Sequence, residues 1–493
     1  MRDEFWIGPR WRRWVVGLSL GVVAALGQAP VGWPLATLLA FSAVFWLAVA
    51  APNRRRAAVF GWLFATGHFL LALSWIVEPF LVDIARHGWM APFALFFMAG
   101  GLALFWAAAF AAGLGGGALG LAAALGLAEL GRAYLLTGFP WAQPGHGWID
   151  TPVAQLAQIG GALGLTALTL GIASLPALRL SRPLRIASAA GALAVVWLGG
   201  MALDRSAPVP AADAPVVRIV QPNAPQDEKW VPGRAEMFFD RALGFTAEGA
   251  APDLVVWPET SVPWFLSEAA PELALIAEAA RGAPAIVGIQ RSEWPRFWNS
   301  LAVVAPDGSV ADVYDKSHLV PFGEYVPFAG LLGRFGIHGL AANEGGGFTA
   351  GPGGRTVEIP GLGPALPLIC YEGIFAEEVR AVSPRAGLMV LITNDAWFGE
   401  VSGPYQHLVQ ARFRSIEMGL PMVRAANTGV SAVIDARGGL VTAIPLGEAG
   451  WRDAPLPSAL APPLYARLGD LPLLGLLLLG FAATLVRVRR RHD

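Results

Sequence analysis

One cysteine, Cys370, and two lysines, Lys229 and Lys316, occur in a chain of 493 residues that otherwise carries 33 arginines. Where a plain positive charge suffices this chain uses Arg, so a retained Lys marks a place where a compact ammonium is required. Cys370 ends the apolar run ALPLIC (365–370), Lys316 ends VADVYDK (310–316), and Glu259 ends DLVVWPE (253–259). The ends of strands in an α/β sheet are where side chains converge on a pocket while the sheet holds them rigid. A thiol with an ordinary pKa of about 8.5 is a poor nucleophile at neutral pH until its proton is removed. A glutamate desolvated beside Trp257 and Pro258 can act as that base. An ammonium nearby stabilises the thiolate and then the oxyanion of a tetrahedral intermediate. Together the three types describe acyl transfer through a thioester. A cysteine–histidine arrangement with His318 or His407 is the weaker alternative, and His318 fits a structural loop better.

The elements that must position these residues lie between about 204 and 469. A proline- and alanine-rich linker, SAPVPAADAP (206–215), precedes short β-branched runs at 216–220, 253–257, 285–289, 301–305, 365–370, 387–393 and 422–426. Helical patterns fall between several of them, at 271–281, 374–383 and 404–419, and hairpin signals stand at Asp307-Gly308 and Arg437-Gly438-Gly439. Strands alternating with helices predict a layered α/β domain. About 260 residues are ample for one core.

The rest of the chain reads differently. It is 55% hydrophobic and 14% charged with a mean hydropathy of +0.52, against about 25% charged residues in an ordinary soluble domain. Apolar stretches at 14–30, 33–51, 57–77, 90–112, 115–136, 159–178, 186–203 and 470–486 approach the roughly 20 residues that cross about 30 Å of hydrocarbon. The expectation is a multi-domain membrane protein with an eight-helix transmembrane bundle: seven spans in 1–203, an α/β domain in 204–469, and a last span with a basic tail in 470–493. Arginines cluster at 2, 10, 12 and 13, at 54–56, at 179, 182 and 185, and at 487 and 489–491, all on one side if there are eight spans. By the positive-inside rule both termini are cytoplasmic and 204–469 faces outward, into the periplasm of a bacterium. A net charge of −1 gives nucleic-acid binding no support. Glu129 and Arg132 are unusual at membrane depth and are expected to pair at i, i+3 rather than line a lipid entry.

The segments VVWPE (255–259), DKSHLVPFGEYVPF (315–328), LPLICYE (366–372) and TNDAWFG (393–399) resemble the Glu-Lys-Cys motifs of the nitrilase superfamily. An outward nitrilase-like domain between seven spans and one, with GFPWAQPGH (138–146) and NDAWFGEVSGPYQH (394–407), is similar to the bacterial apolipoprotein N-acyltransferase family over essentially the whole chain. The resemblance implies an α-β-β-α sandwich, Glu259 as general base, Lys316 as oxyanion stabiliser, Cys370 as nucleophile and Glu324 as accessory carboxylate. It implies a ping-pong reaction with a phospholipid acyl donor and a diacylglyceryl apolipoprotein acceptor, no metal or other cofactor, and residence in the inner membrane, as a monomer. Trp230 and Tyr371 match aromatic positions of the family; the Tyr371 N–H is placed to help hold the oxyanion. The glycine-rich apolar segment 328–348, with Leu331 and Phe335, is expected to serve as a lid over lipid substrates. A membrane-tethered amidase of nitrilase type is the competing function. A transporter lacks a polar path through the spans, and a dead scaffold would not retain all three residues.

Overall fold

The computed structural model describes residues 2–204, 210–327 and 347–489. The chain forms two compact units: 1–77, 89–205 and 462–493 in one, 78–88 and 206–461 in the other.

The first unit is helical. Each of the eight apolar stretches holds a helix: Arg10–Ala25, Pro34–Ala48, Arg54–Ala72, Ala91–Gly113, Gly117–Tyr134, Ala157–Ser174, Arg182–Leu203 and Leu471–Arg489. By length and composition, Ile84–Tyr134, Pro152–Ala177 and Arg182–Leu203 are long and apolar enough to cross a membrane. Arg54–Ala72 joins them if its 52° bend into Ser74–Phe80 lies within one span. Length and composition alone thus mark fewer crossings than eight among the described residues. The 51-residue stretch Ile84–Tyr134 is not one rod, however. It breaks at Gly117, whose φ of +65° is open to glycine, and the two helices run back along each other. A Cβ on Gly113 would meet Gly120 O, one on Gly131 would meet Phe105, and Trp106 bonds to Glu129. Aromatic rings of Phe41, Phe64, Phe69 and Trp106 fill the interior. Glu129 and Arg132 pair as expected, with Nη2 2.6 Å from Oε2, and both are buried.

The second unit is built on two six-stranded sheets. Its strands are β1 (Val216–Gln221), β2 (Leu254–Val256), β3 (Ala285–Glu293), β4 (Arg296–Val304), β5 (Val310–Asp315), β6 (Val357–Ile359), β7 (Gly363–Ile369), β8 (Leu388–Ile392), β9 (Met422–Ala425), β10 (Ser431–Ile434), β11 (Leu440–Ile444) and β12 (Gly450–Pro455). They are ordered β12-β1-β2-β3-β4-β5 and β11-β10-β9-β8-β7-β6. In each sheet three central strands are parallel (β1, β2, β3 and β7, β8, β9), and the outer strands add antiparallel. Parallel strands are covered on both faces, and β2, β7 and β8 accordingly read as continuous apolar runs.

The layers follow from alternation along the strands. Val217, Ile219, Val256, Ile286 and Leu301 of one sheet meet Ile369, Val390, Ile392 and Val423 of the other in a single core. The opposite face of the first sheet, through Val255, Val287 and Ala302, packs on Phe239 and Ala242 of helix Arg234–Ala247 and on Leu273, Ile276 and Ala277 of helix Ala270–Ala280. Helices Ala376–Ala381 and Gly403–Met418 are the crossovers β7–β8 and β8–β9. The inner face of their sheet is already filled, so they take the outer one. The result is the α-β-β-α sandwich.

Candidate active site

Glu259 and Cys370 follow the parallel strands β2 and β7, and Lys316 follows the antiparallel edge strand β5, each within three residues of the strand's carboxyl end. At two of these ends the chain turns with non-glycine residues in the left-handed region, Thr260 at φ +47° and Cys370 at φ +52°. Such backbone is uncommon and persists only where surroundings hold it. Gly288 of β3 makes room for the first turn, because a Cβ there would lie 2.4 Å from Thr260 N.

The structure brings Glu259, Lys316, Glu324 and Cys370 into one buried cluster, each at most 6% exposed. Lys316 Nζ donates to Glu324 Oε1 at 2.9 Å and stands 3.7 Å from Glu259 Oε1. Asn299 Nδ2 donates to Glu259 Oε1 at 2.6 Å and to Glu324 Oε1 at 3.2 Å, tying the two carboxylates together. The Asn394 N–H holds Glu259 Oε2 at 2.8 Å, and the Val320 N–H holds Glu324 Oε2 at 2.8 Å. Burial alone would push the Lys316 ammonium down, but Glu324 and Glu259 outweigh it and hold it above its ordinary value. Burial and the charge of Glu259 push the Cys370 thiol up, with Lys316 and the Thr393 hydroxyl opposing. The balance favours the thiol over the thiolate.

Two further networks fix the Cys370 turn. The Glu372 carboxylate accepts from Tyr314 Oη at 2.7 Å, Ser317 N at 2.7 Å, Ser317 Oγ at 2.8 Å and Ile369 N at 2.8 Å. It thereby ties the strand end that carries Cys370 to the loop that carries Lys316. Burial nevertheless holds Glu372 above the ordinary carboxylate range. Beneath the cysteine, Arg424 pairs with Asp395, Asp395 accepts from His407 Nδ1 at 2.9 Å, and the His407 ring reaches the Cys370 carbonyl. Burial pushes Asp395 up, but Arg424 and His407 outweigh it and hold it low. His407 is held below its ordinary value by burial and by Arg424. It thus meets the backbone of Cys370, and His318 stacks on Phe375 at 3.9 Å and bonds Glu378 at 2.7 Å.

Tyr371 is buried edge-on to Phe375 at 4.9 Å. Trp230 is half-exposed, its ring 5.5 Å from the Nζ of Lys229, and that ammonium bonds the Glu259 carbonyl at 3.0 Å. Leu331 and Phe335, with the rest of 328–346, lie outside the described residues. Asn299, Glu372, Asn394, Asp395 and Arg424 have no role assigned to them from the sequence alone. The available signals were polar residues inside apolar runs, Asn299 in FWNSLAVV and Arg424 in MVRAA.

Residues 216–461, which span both sheets and the buried cluster, match the family model described as carbon-nitrogen hydrolase. That defines the class of the sheet-bearing unit. Residues 20–175 match the model of the apolipoprotein N-acyltransferase N-terminal domain. The chain is 39% identical to the apolipoprotein N-acyltransferase of Rhodopseudomonas palustris, over 98% of this chain and 96% of that one. It is 39% identical to the protein of that name from Bradyrhizobium diazoefficiens, over 98% and 95%, and 36% identical to the one from Rhizobium rhizogenes, over 91% and 90%. The chain belongs to the apolipoprotein N-acyltransferase family.

Proposed function

We propose that this protein transfers an acyl chain from a phospholipid to the α-amine of the N-terminal S-diacylglyceryl cysteine of apolipoproteins, through a thioester on Cys370. The observation that carries this reading is the buried cluster itself, a lone thiol at a strand end with an ammonium held between two carboxylates. In the first half-reaction Glu259 takes the Sγ proton and the sulfur attacks the ester carbonyl. Lys316, kept charged by its carboxylates, stabilises the oxyanion. Collapse expels the lysophospholipid oxygen, which recovers the proton from Glu259. In the second half the α-amine attacks the thioester, passes its proton to Glu259, and the thiol re-forms. Glu324 holds the ammonium in place, and the Tyr371 N–H adds an oxyanion donor. Trp230 is an outer wall for substrate.

In the same reading 1–203 and 470–493 provide eight crossings of the inner membrane, both termini are cytoplasmic, and 204–469 is periplasmic. The arginine distribution supports this, and so does the economy of meeting two lipid substrates in the plane where they reside. Incubation with phospholipid should place an acyl mass on the Cys370 peptide, and a diacylglyceryl peptide should then discharge it onto its own α-amine. Release of free fatty acid instead would indicate an amidase-like hydrolase. An unacylated Cys370, or full turnover in Cys370→Ala, would overturn the proposal.

A further inference from the structure

Both lysines of the chain are buried, and both are beside Glu259. Lys229, in the segment after β1, is 6% exposed. Its Nζ donates to the Glu259 carbonyl at 3.0 Å and to Thr260 Oγ1 at 2.8 Å. These are the backbone and side chain of the left-handed turn that presents the base. On the other side of the same turn, Ser261 N–H bonds Gly288 O at 2.9 Å and Gly288 N–H bonds Pro258 O at 3.2 Å. The turn is therefore clamped between the β3 backbone and one ammonium.

Charge gives Lys229 a second task. The cluster holds two carboxylates, Glu259 and Glu324, and without Lys229 it has only Lys316 to set against them. A buried, uncompensated charge is costly. With Lys229 the four groups sum to zero. When the Sγ proton of Cys370 moves to Glu259 the thiolate takes over its negative charge, so the total over these four groups and the sulfur stays zero. We propose that Lys229 is a positioning residue of this site, clamping the Glu259–Thr260 turn and balancing the second carboxylate so that proton transfer proceeds without a net buried charge. This rests on the acyl-enzyme reading above.

The two tasks are separable by pH. Burial lowers Lys229 to about 8, with Glu259 opposing. The charged group that acts on it is Glu259; Lys316, Glu324 and Cys370 are clustered with Glu259, and Asp227 and Glu228 precede it on its own segment. Above pH 8 the neutral amine still donates hydrogen bonds but balances nothing. Loss of charge alone should then slow the chemistry.

The test is the rate of Cys370 acylation by phospholipid, followed by mass spectrometry on the full-length protein in detergent between pH 6 and 10. The wild-type rate is expected to fall on the alkaline side with a midpoint near 8, and Lys229→Arg, which stays charged, to lack that limb. Lys229→Gln, which keeps a donor without the charge, should lose at least about 30-fold at pH 7 per folded molecule, with its phospholipid KM little changed. That factor is roughly 2 kcal/mol at 1.36 kcal/mol per decade. Wild-type acylation by Lys229→Gln, or an alkaline limb that persists in Lys229→Arg, overturns the assignment while leaving the thioester intact. A wild-type protein that never acylates Cys370 refutes the acyl-enzyme reading itself. If Lys229→Gln fails to fold, the pH profiles of wild type and Lys229→Arg still decide.

Discussion

Among the buried ion clusters of the described residues, two, one from each unit, are built differently: Glu129 with Arg132, and Lys316 with Glu259 and Glu324. In the helical unit Glu129 meets the planar fork of Arg132 at 3.0 and 2.6 Å and the Trp106 indole at 2.7 Å, and Arg132 also bonds Trp141 O at 2.7 Å. A guanidinium bound bidentately fixes its carboxylate and holds its own charge at any accessible pH. In the sheet unit one ammonium stands between two carboxylates, close to Glu324 at 2.9 Å and looser on Glu259 at 3.7 Å. The looser carboxylate keeps an oxygen whose partner can change. A fork suits a site that must not move, and a point charge suits one whose charges must rearrange. That contrast gives a physical reason for the only two lysines to be gathered at one place.

The sharpest break of the comparison is expected in the helical unit. Arg132→Met leaves Glu129 buried and unpaired, which costs about 3–5 kcal/mol. It should appear as a lower melting temperature in detergent, with turnover per folded molecule unchanged. Adding Glu129→Leu should recover most of the loss, since replacing both partners by apolar groups is close to neutral. A double variant no better than the single one would assign the pair more than a packing role. Next in size, Lys316→Arg keeps the charge but replaces the point with a fork. Turnover is expected to fall about 10²–10³-fold, about 2.7–4 kcal/mol of barrier, while the melting temperature moves by less than about 4 °C. Near-normal turnover in Lys316→Arg would erase the distinction between the two clusters.

What the sequence reveals depends on how each element is covered. β2, β7 and β8 are buried throughout or nearly so and stand out as unbroken apolar runs, and β1 does so apart from Arg218 and its final Gln221. The turns at Asp307-Gly308 and Arg437-Gly438-Gly439 are legible because glycine takes the left-handed position, φ +85° at Gly308 and +80° at Gly438. β6 is three residues long, β11 is a short edge strand whose apolar residues are half-exposed, and Arg452 and Asp453 break the pattern of β12. The site divides the same way. Glu259, Lys316 and Cys370 could be read because each closes a strand. Asn299 and Glu372 could not, because their meaning lies in partners 40 and 55 residues away, Glu259 and Ser317, that only the folded sheets bring near. Lys229 did carry a signal, its rarity, but its target, the turn after β2, is brought beside it only by the fold.

The smallest predicted effect separates the two roles of Glu259, and it runs against intuition. Burial raises the Cys370 thiol, Glu259 raises it further, and Lys316 lowers it. Removing the negative charge in Glu259→Gln removes one of the raising causes and leaves the lowering one. Alkylation of Cys370 by iodoacetamide depends on the thiolate fraction at equilibrium. In the wild type its rate should therefore still be rising beyond pH 9, and in Glu259→Gln the curve should shift to lower pH and run several-fold faster at pH 8. Acyl transfer by the same variant should collapse, since no base remains to move the proton at the moment of attack. Lys316→Met should do the reverse to alkylation, pushing the curve to higher pH. If Glu259→Gln instead slowed alkylation as much as transfer, Glu259 would be setting the resting thiolate population, and the cluster would be a standing ion pair of the kind found at Glu129 and Arg132.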